Sequence, residues 1–310
     1  MPDCVTHIYL AEDAVDPSNK MIDYNYFIIG SQGPDPLFYY QFQPWKKTRK
    51  VDRIAGIIHH EKTKAFLDTF IKKAKTGSKQ IKGYVLGFLC HYALDSTAHP
   101  YIFHVTGNYS IKTKQYRGNH LRLERGIDSV LIKERGFNPI FYKVANHFPI
   151  KRLSTDFTNT FTSVMNEVYN LLDVGRLFSQ SYIDFRNNFK YMVYDPTGIK
   201  KAVYSVVDVF TSGSLSYKQI SNRTNIRNID IMNRNHSLWK HPVTGEESNE
   251  SFDELYQKAL NLAKTLTQKT LNYFETGDEE IFTLTKNISY DTGLDCTKEN
   301  KMIHINSIFN

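Results

Sequence analysis

The stretch that most constrains this chain is Gly83-Tyr-Val-Leu-Gly-Phe-Leu-Cys-His-Tyr-Ala-Leu-Asp-Ser-Thr-Ala-His99. Read as a helix, it sets Gly83, Gly87, His91, Asp95 and His99 four apart, on one slowly turning stripe whose members rise by roughly 6 Å each. The glycines leave a groove where another segment can approach closely. His91 and Asp95 point the same way from flanks of Tyr84, Val85, Leu86, Phe88, Leu89 and Leu94. A buried imidazole facing a buried carboxylate needs a partner for both, and a divalent metal supplies one.

The rest of the chain is rich enough in apolar side chains to bury such a rail. Of 310 residues, 41% are hydrophobic and 14% aromatic, which fits a globular core and excludes a disordered chain. No apolar run approaches the roughly 20 residues needed to cross a bilayer. The start, Met1-Pro2-Asp3-Cys4, shows no secretory signal, and Cys4, Cys90 and Cys296 are too few and too scattered for a disulfide framework. A cytoplasmic location is expected. The formal charge of +7 admits two readings: a solvated Lys-rich surface, or attraction to a phosphate-bearing substrate or an anionic membrane.

Apolar periodicity predicts helices over 4–14 and from Tyr24 to Gly30, followed by Gly33-Pro34-Asp35-Pro36. Asp35 sits on a stiff loop because two prolines clamp it. Leu37-Phe38-Tyr39-Tyr40 can wall a pocket. An amphipathic helix is expected over 57–76, with His59 and His60 at its mouth. Adjacent helical residues point apart, so at most one of the two faces a given site. Thr76-Gly77-Ser78 reads as a stop and an N-cap for the central helix, which is expected to stop or bend near His99-Pro100. Asn119 is a candidate cap, and His120 and Glu124 share a helix face. Further helices are expected over 155–172, 177–192, 196–212 and 251–275, the last with a start signal at Ser251. Together these imply an all-α core over 1–212, a polar loop or linker over 213–250, and a C-terminal helix and tail over 251–310 packed on the core. No internal repeat, Gly-rich phosphate loop or Cys-based zinc spacing is present.

The first 124 residues therefore hold His7, Asp35, His60 or His59, His91, Asp95, His99, His120 and Glu124, each at a helix end or inner face. Nitrogen and oxygen donors in that number suit more than one zinc ion, and Asp95 is the natural bridge between two.

In order along the chain, Pro2-Asp3…His7, Gly33-Pro34-Asp35, His60-Glu61-Lys62-Thr63, His91-Tyr92-Ala93-Leu94-Asp95-Ser96-Thr97-Ala98-His99-Pro100-Tyr101 and His120-x-x-x-Glu124 resemble the zinc-dependent phospholipase C family, in particular its leaderless bacterial members. The resemblance spans roughly residues 1–140. It implies a multi-helix phospholipase C/nuclease-like bundle around a multinuclear zinc cleft. Asp35, His60, His91 and Asp95 would hold one ion, Asp95 would bridge to a second near His7, and His99, His120 and Glu124 would hold a third. His60 is preferred because it directly precedes Glu61-Lys62-Thr63. Secreted members add the amine and carbonyl of an N-terminal Trp, which Met1-Pro2 does not supply, so two to three Zn2+ ions are expected. The third histidine also lies closer to the bridging Asp here than in those members.

The implied activity is hydrolysis of a phospholipid or other phosphodiester by a metal-bound hydroxide, with Asp35 orienting or deprotonating the attacking water. Phe38 and Tyr39 are the candidate substrate contacts. Peripheral membrane contact fits such a substrate, and no dedicated protein partner is inferred. A nuclease or nucleotidase of the same fold is the alternative enzyme, and a non-catalytic metal-binding module the alternative outside enzymes.

Overall fold

The apolar periodicity becomes helix along most of the chain. A computed structural model describes residues 4–41, 51–107, 114–191, 199, 202–203, 205–206 and 229–309. Its elements are α1 (Cys4–Ala14), α2 (Tyr24–Gly30), a 3-10 turn (Asp35–Tyr39), α3 (Asp52–His60), α4 (Thr63–Lys75), α5 (Lys79–Thr106), α6 (Lys114–Glu134), α7 (Thr155–Tyr169), α8 (Val174–Tyr191), β1 (Trp239–Lys240), β2 (Glu247–Ser248), α9 (Phe252–Thr276) and α10 (Ile281–Leu284). A second short 3-10 turn, Val144–His147, precedes α7. The fold is all-α: β1 and β2 form one two-residue antiparallel pair, Trp239 opposite Ser248.

Buried from Gly83 to Thr106 with few breaks, α5 is the axis, and α2 and α9 lie along it. The approach of α2 depends on glycine. A Cβ on Gly87 would be driven into the Phe27 carbonyl oxygen and would stand 2.6 Å from Ser31 N. On the other side of α5 an aromatic core joins α4, α7 and α8. Tyr84 meets Phe157 at 4.6 Å between ring centroids, Phe161 meets Phe178 at 4.8 Å, and Phe66 meets Phe88 at 5.1 Å. Aromatic pairs at such distances contribute roughly 0.5–1.5 kcal/mol each beyond the area they bury.

Three local expectations are corrected. The region 57–76 is not one helix: α3 ends at His60, Lys62 takes a left-handed φ of 49°, and α4 begins at Thr63. Nor does α5 stop at Pro100; it runs on to Thr106. A mid-helix proline costs about 3 kcal/mol. Tyr101, Ile102 and Phe103 follow it into the core, at about 1.5–3 kcal/mol for each large side chain buried, so burial wins. As expected, Ser78 is the N-cap of α5, by its extended backbone and not by a side-chain hydrogen bond. Asn119 is no cap, because α6 begins earlier, at Lys114; its side-chain amide donates to Ser307 Oγ instead, at 3.3 Å.

At α9 the Ser251 signal is realised as a capping box: Glu254 N donates to Ser251 Oγ at 3.3 Å and Ser251 N donates to Glu254 Oε2 at 2.7 Å. The helix expected over 196–212 and the linker before 229 fall mostly outside the described residues. Among the described residues no helix is long and apolar enough to cross a membrane.

Candidate metal centre

α5 delivers the rail as its spacing requires. His91, Asp95 and His99 are all buried on one face, with His91 Nε2 3.0 Å from Asp95 Oδ2 and His99 Nε2 3.7 Å from Asp95 Oδ1. Three other elements bring partners to it. From α1, His7 Nε2 stands 3.2 Å from Asp95 Oδ1, and its ring stacks on His91 at 4.6 Å. From the end of α3, His59 Nε2 lies 3.4 Å from Asp35 Oδ1 and 3.8 Å from Asp95 Oδ2. From α6, His120 Nε2 meets Glu124 Oε1 at 2.8 Å, and that oxygen is 3.7 Å from His99 Nε2.

Local structure sets each of these side chains. Gly33 has φ 53°, and a Cβ there would strike the His91 ring, so only glycine lets the loop carry Asp35 so close to α5. The Tyr84 hydroxyl fixes the same loop by donating to the Gly33 carbonyl at 3.0 Å. The start of α1 is tied to α6 by Asp128, which accepts from Val5 N at 2.9 Å, Thr6 N at 2.8 Å and the Thr6 hydroxyl at 2.5 Å. His7 is the next residue, so Asp128 sets its height over Asp95. Two imidazoles are oriented from behind. His59 Nδ1 faces the Ala55 carbonyl at 2.8 Å, and His99 Nδ1 faces that of Tyr290 at 3.1 Å. Donation from Nδ1 leaves Nε2 as the ring atom aimed into the cluster.

The electrostatics are those of a site that keeps its carboxylates ionised under burial. Burial alone would raise the Asp95 carboxyl, but His91, His99 and His7 hold it well below the usual range. Glu124 is brought down to about 2 against burial, chiefly by His120. For His99 the opposition runs the other way: burial disfavours its charged form, yet Asp95 and Glu124 raise it to about 9. Burial prevails at His7 and His120, whose imidazoles fall below their ordinary value.

A cation fits this donor set. Three groups bring ligand atoms within 4.8 Å of one another: His7, Asp35 and His91; His59, His91 and Asp95; and His99, His120 and Glu124. Both Asp95 oxygens and both His91 ring nitrogens are buried with no hydrogen bond in good geometry. Such groups cost free energy to bury unless something else satisfies them. Thr6, Asp95, His99 and Glu124 also line a small cavity beside the Asp95–His99 half of the rail. All-N/O donors without thiolate suit zinc.

A family model of zinc-dependent phospholipase C matches residues 6–172. The chain belongs to the zinc-dependent phospholipase C family. The matched span contains every residue of the three groups, and the family is zinc-dependent by description, in agreement with their chemistry. No curated protein and no solved structure matches the chain significantly.

Of the candidate ligands, His7, Asp35, His91, Asp95, His99, His120 and Glu124 converge, and His60 does not. Its ring is 45% exposed and turns towards the C-terminal segment, with Nδ1 3.0 Å from Ser289 Oγ and Nε2 3.4 Å from Asp291 Oδ2. His59 takes the inner place because it shares a buried face with Ala55 and Ile58, whereas His60 is rotated by about 100°. That i, i+4 relation to Ala55 is the signal that distinguishes the pair. The aromatic candidates also separate: Phe38 lies 5.9 Å from the His59 ring, while Tyr39 packs edge-on to Phe185 at 5.1 Å. Asp128 was within reach of sequence reasoning, since it extends the His120, Glu124 stripe by four residues. Asp291 lies in an aperiodic tail with no such signal.

Proposed function

We propose that this chain is a zinc-dependent phosphodiester hydrolase of the phospholipase C kind, acting on a phospholipid or related phosphate ester. One observation carries the reading: five buried imidazoles and three buried carboxylates from α1, the Asp35 turn, α3, α5 and α6 converge along the His91, Asp95, His99 rail. His59, His91, Asp95 and Asp35 would hold one ion, His7 with Asp95 a second, and His99, His120 and Glu124 a third. Zinc, when bound, lowers the pKa of a coordinated water to about 7 and offsets charge on phosphate oxygens.

The chain's own residues supply the rest. Asp35, on a turn fixed by Gly33, Tyr84 and two prolines, accepts the proton of the attacking water at a carboxylate oxygen. Asp95 keeps the two ends of the rail in register. Phe38, half-buried beside His59, offers an apolar surface to the substrate next to the reacting phosphate. The net charge of +7 favours an anionic substrate and contact with an anionic lipid surface.

The test is zinc per chain in purified protein, with turnover of phosphatidylcholine, bis-p-nitrophenyl phosphate and single-stranded DNA. The expected result is two to three zinc ions and hydrolysis of the first two substrates. Cleavage of DNA alone would make the protein a nuclease. Zinc binding with no turnover of any of the three would leave a non-catalytic metal module.

A further inference from the structure

Far along the chain from the matched span, residues 286–297 return to the cluster. A bridge between Ile288 and Asp295 closes the segment, and Ser289, Tyr290, Asp291 and Thr292 between them are all buried. Tyr290 enters fully. Its ring stands 5.3 Å from that of His59 and 6.0 Å from that of His91, and its N–H donates to the His59 carbonyl at 3.0 Å. From α4, the Thr63 hydroxyl donates to the Ile288 carbonyl at 2.9 Å. The segment is pinned from outside by His241, whose Nδ1 accepts from Val243 N and Thr244 N at 3.2 Å each. That leaves His241 Nε2 to donate to the Thr292 carbonyl at 2.9 Å. So many ties make this a built wall of the site.

At its centre is a carboxylate behind a candidate ligand. His99 Nδ1 donates to the Tyr290 carbonyl at 3.1 Å, and Asp291 Oδ1 lies 3.6 Å from the same nitrogen as a second, electrostatic neighbour, on the side of the ring away from Asp95 and Glu124. Asp291 Oδ2 lies 3.4 Å from His60 Nε2, and His60 Nδ1 is 3.0 Å from Ser289 Oγ. His60 thus holds the segment at two points from the end of α3.

We propose that Asp291 is a positioning residue for His99, and that His60 holds Asp291 in place, so that segment 289–292 completes the metal centre from outside the span that matches the family model. The inference rests on the zinc reading of the cluster. The Tyr290 carbonyl accepts the Nδ1–H hydrogen bond, and the carboxylate beside it strengthens donation from the opposite nitrogen by its charge; loss of such a support weakens metal binding about 10–100-fold. His60, adjacent to the inward-facing His59, acquires a role without being a ligand.

The experiment compares the full-length wild type with Asp291→Asn and His60→Gln. It reads zinc per chain, zinc retention against a competing chelator, and the visible spectrum of the cobalt(II)-substituted protein. Asp291→Asn keeps the shape of the side chain, so the circular dichroism should match the wild type. One ion should be lost about 10–100-fold more readily, with a changed cobalt spectrum. His60→Gln should move the same ion in the same direction by less. A merely structural Asp291 would lower the midpoint in excess chelator and leave the cobalt spectrum alone.

Wild-type zinc retention and spectrum in Asp291→Asn would overturn the inference while leaving the zinc reading intact. A wild type that binds no zinc would overturn both. If Asp291→Asn does not fold, His60→Gln decides, and unchanged retention there overturns the inference.

Discussion

Asp95 is the residue on which the others depend, because both its oxygens face imidazoles: His7 and His99 on one, His91 and His59 on the other. Asp95→Asn keeps the volume but replaces one oxygen with a nitrogen that cannot accept. The expected loss of zinc affinity exceeds the roughly 100-fold upper figure for an outer-shell partner, and phosphodiesterase activity should fall with it. Titration with a chromophoric chelator measures this; unchanged affinity would remove Asp95 from the centre. The adjacent histidines give a sharper contrast. His59→Ala should lower zinc per chain, while His60→Ala should keep the full complement at saturating zinc, by elemental analysis. The reverse pattern would restore His60 as a ligand. His91, Asp95 and His99 are readable in the sequence because a helix repeats every 3.6 residues, which puts i and i+4 on one face. The choice between His59 and His60 requires the helix phase, which Ala55 and Ile58 give only once α3 is known to end before the left-handed Lys62.

At the level of elements, backbone proximity carries the site. α2 and α5 approach so closely at Gly87 that a methyl group has only backbone to displace. Gly87→Ala should therefore cost about 3 kcal/mol, the upper end for overpacking, seen as a lowered urea midpoint with unchanged slope. A cost under about 0.5 kcal/mol would mean that the two helices can part freely. Asp128 ties α1 to α6 through two backbone donors and a hydroxyl. Asp128→Ala leaves those donors unpaired, at about 1–3 kcal/mol for each one that stays buried, and lets α1 drift with His7 upon it. Loss of stability together with weaker binding of one zinc ion is the expected pair of effects; stability loss with undisturbed zinc would separate Asp128 from the site. The glycine groove and the Ser251 cap were legible because each is a local rule of chain geometry. The passage of α5 through Pro100 was not, since the outcome turns on how much apolar surface the following turn buries.

On the scale of the whole molecule, the site is where distant parts of the chain meet. α1, the Asp35 turn, α3, α5 and α6 supply the converging groups, and the C-terminal segment around Tyr290 closes behind His59 and His99. Sequence pattern marks helices and the donors on them, but it has no term for a non-periodic tail that returns from far along the chain. This architecture buries ionisable groups that are poor core material on their own. A bound cation stabilises the folded chain by about 4 kcal/mol for each site held at about 1,000 times its dissociation constant. Removal of zinc should therefore lower the melting midpoint markedly, and the midpoint should climb with free zinc in a series of buffered concentrations. Asp95→Asn, which disables the carboxylate shared by two of the three ions, should show a clearly smaller midpoint difference with and without chelator than the wild type. Scanning calorimetry on both proteins at matched ionic strength separates metal linkage from general salt effects. Identical wild-type midpoints with and without chelator would mean that the buried carboxylates and imidazoles satisfy one another, and that zinc contributes nothing to the fold.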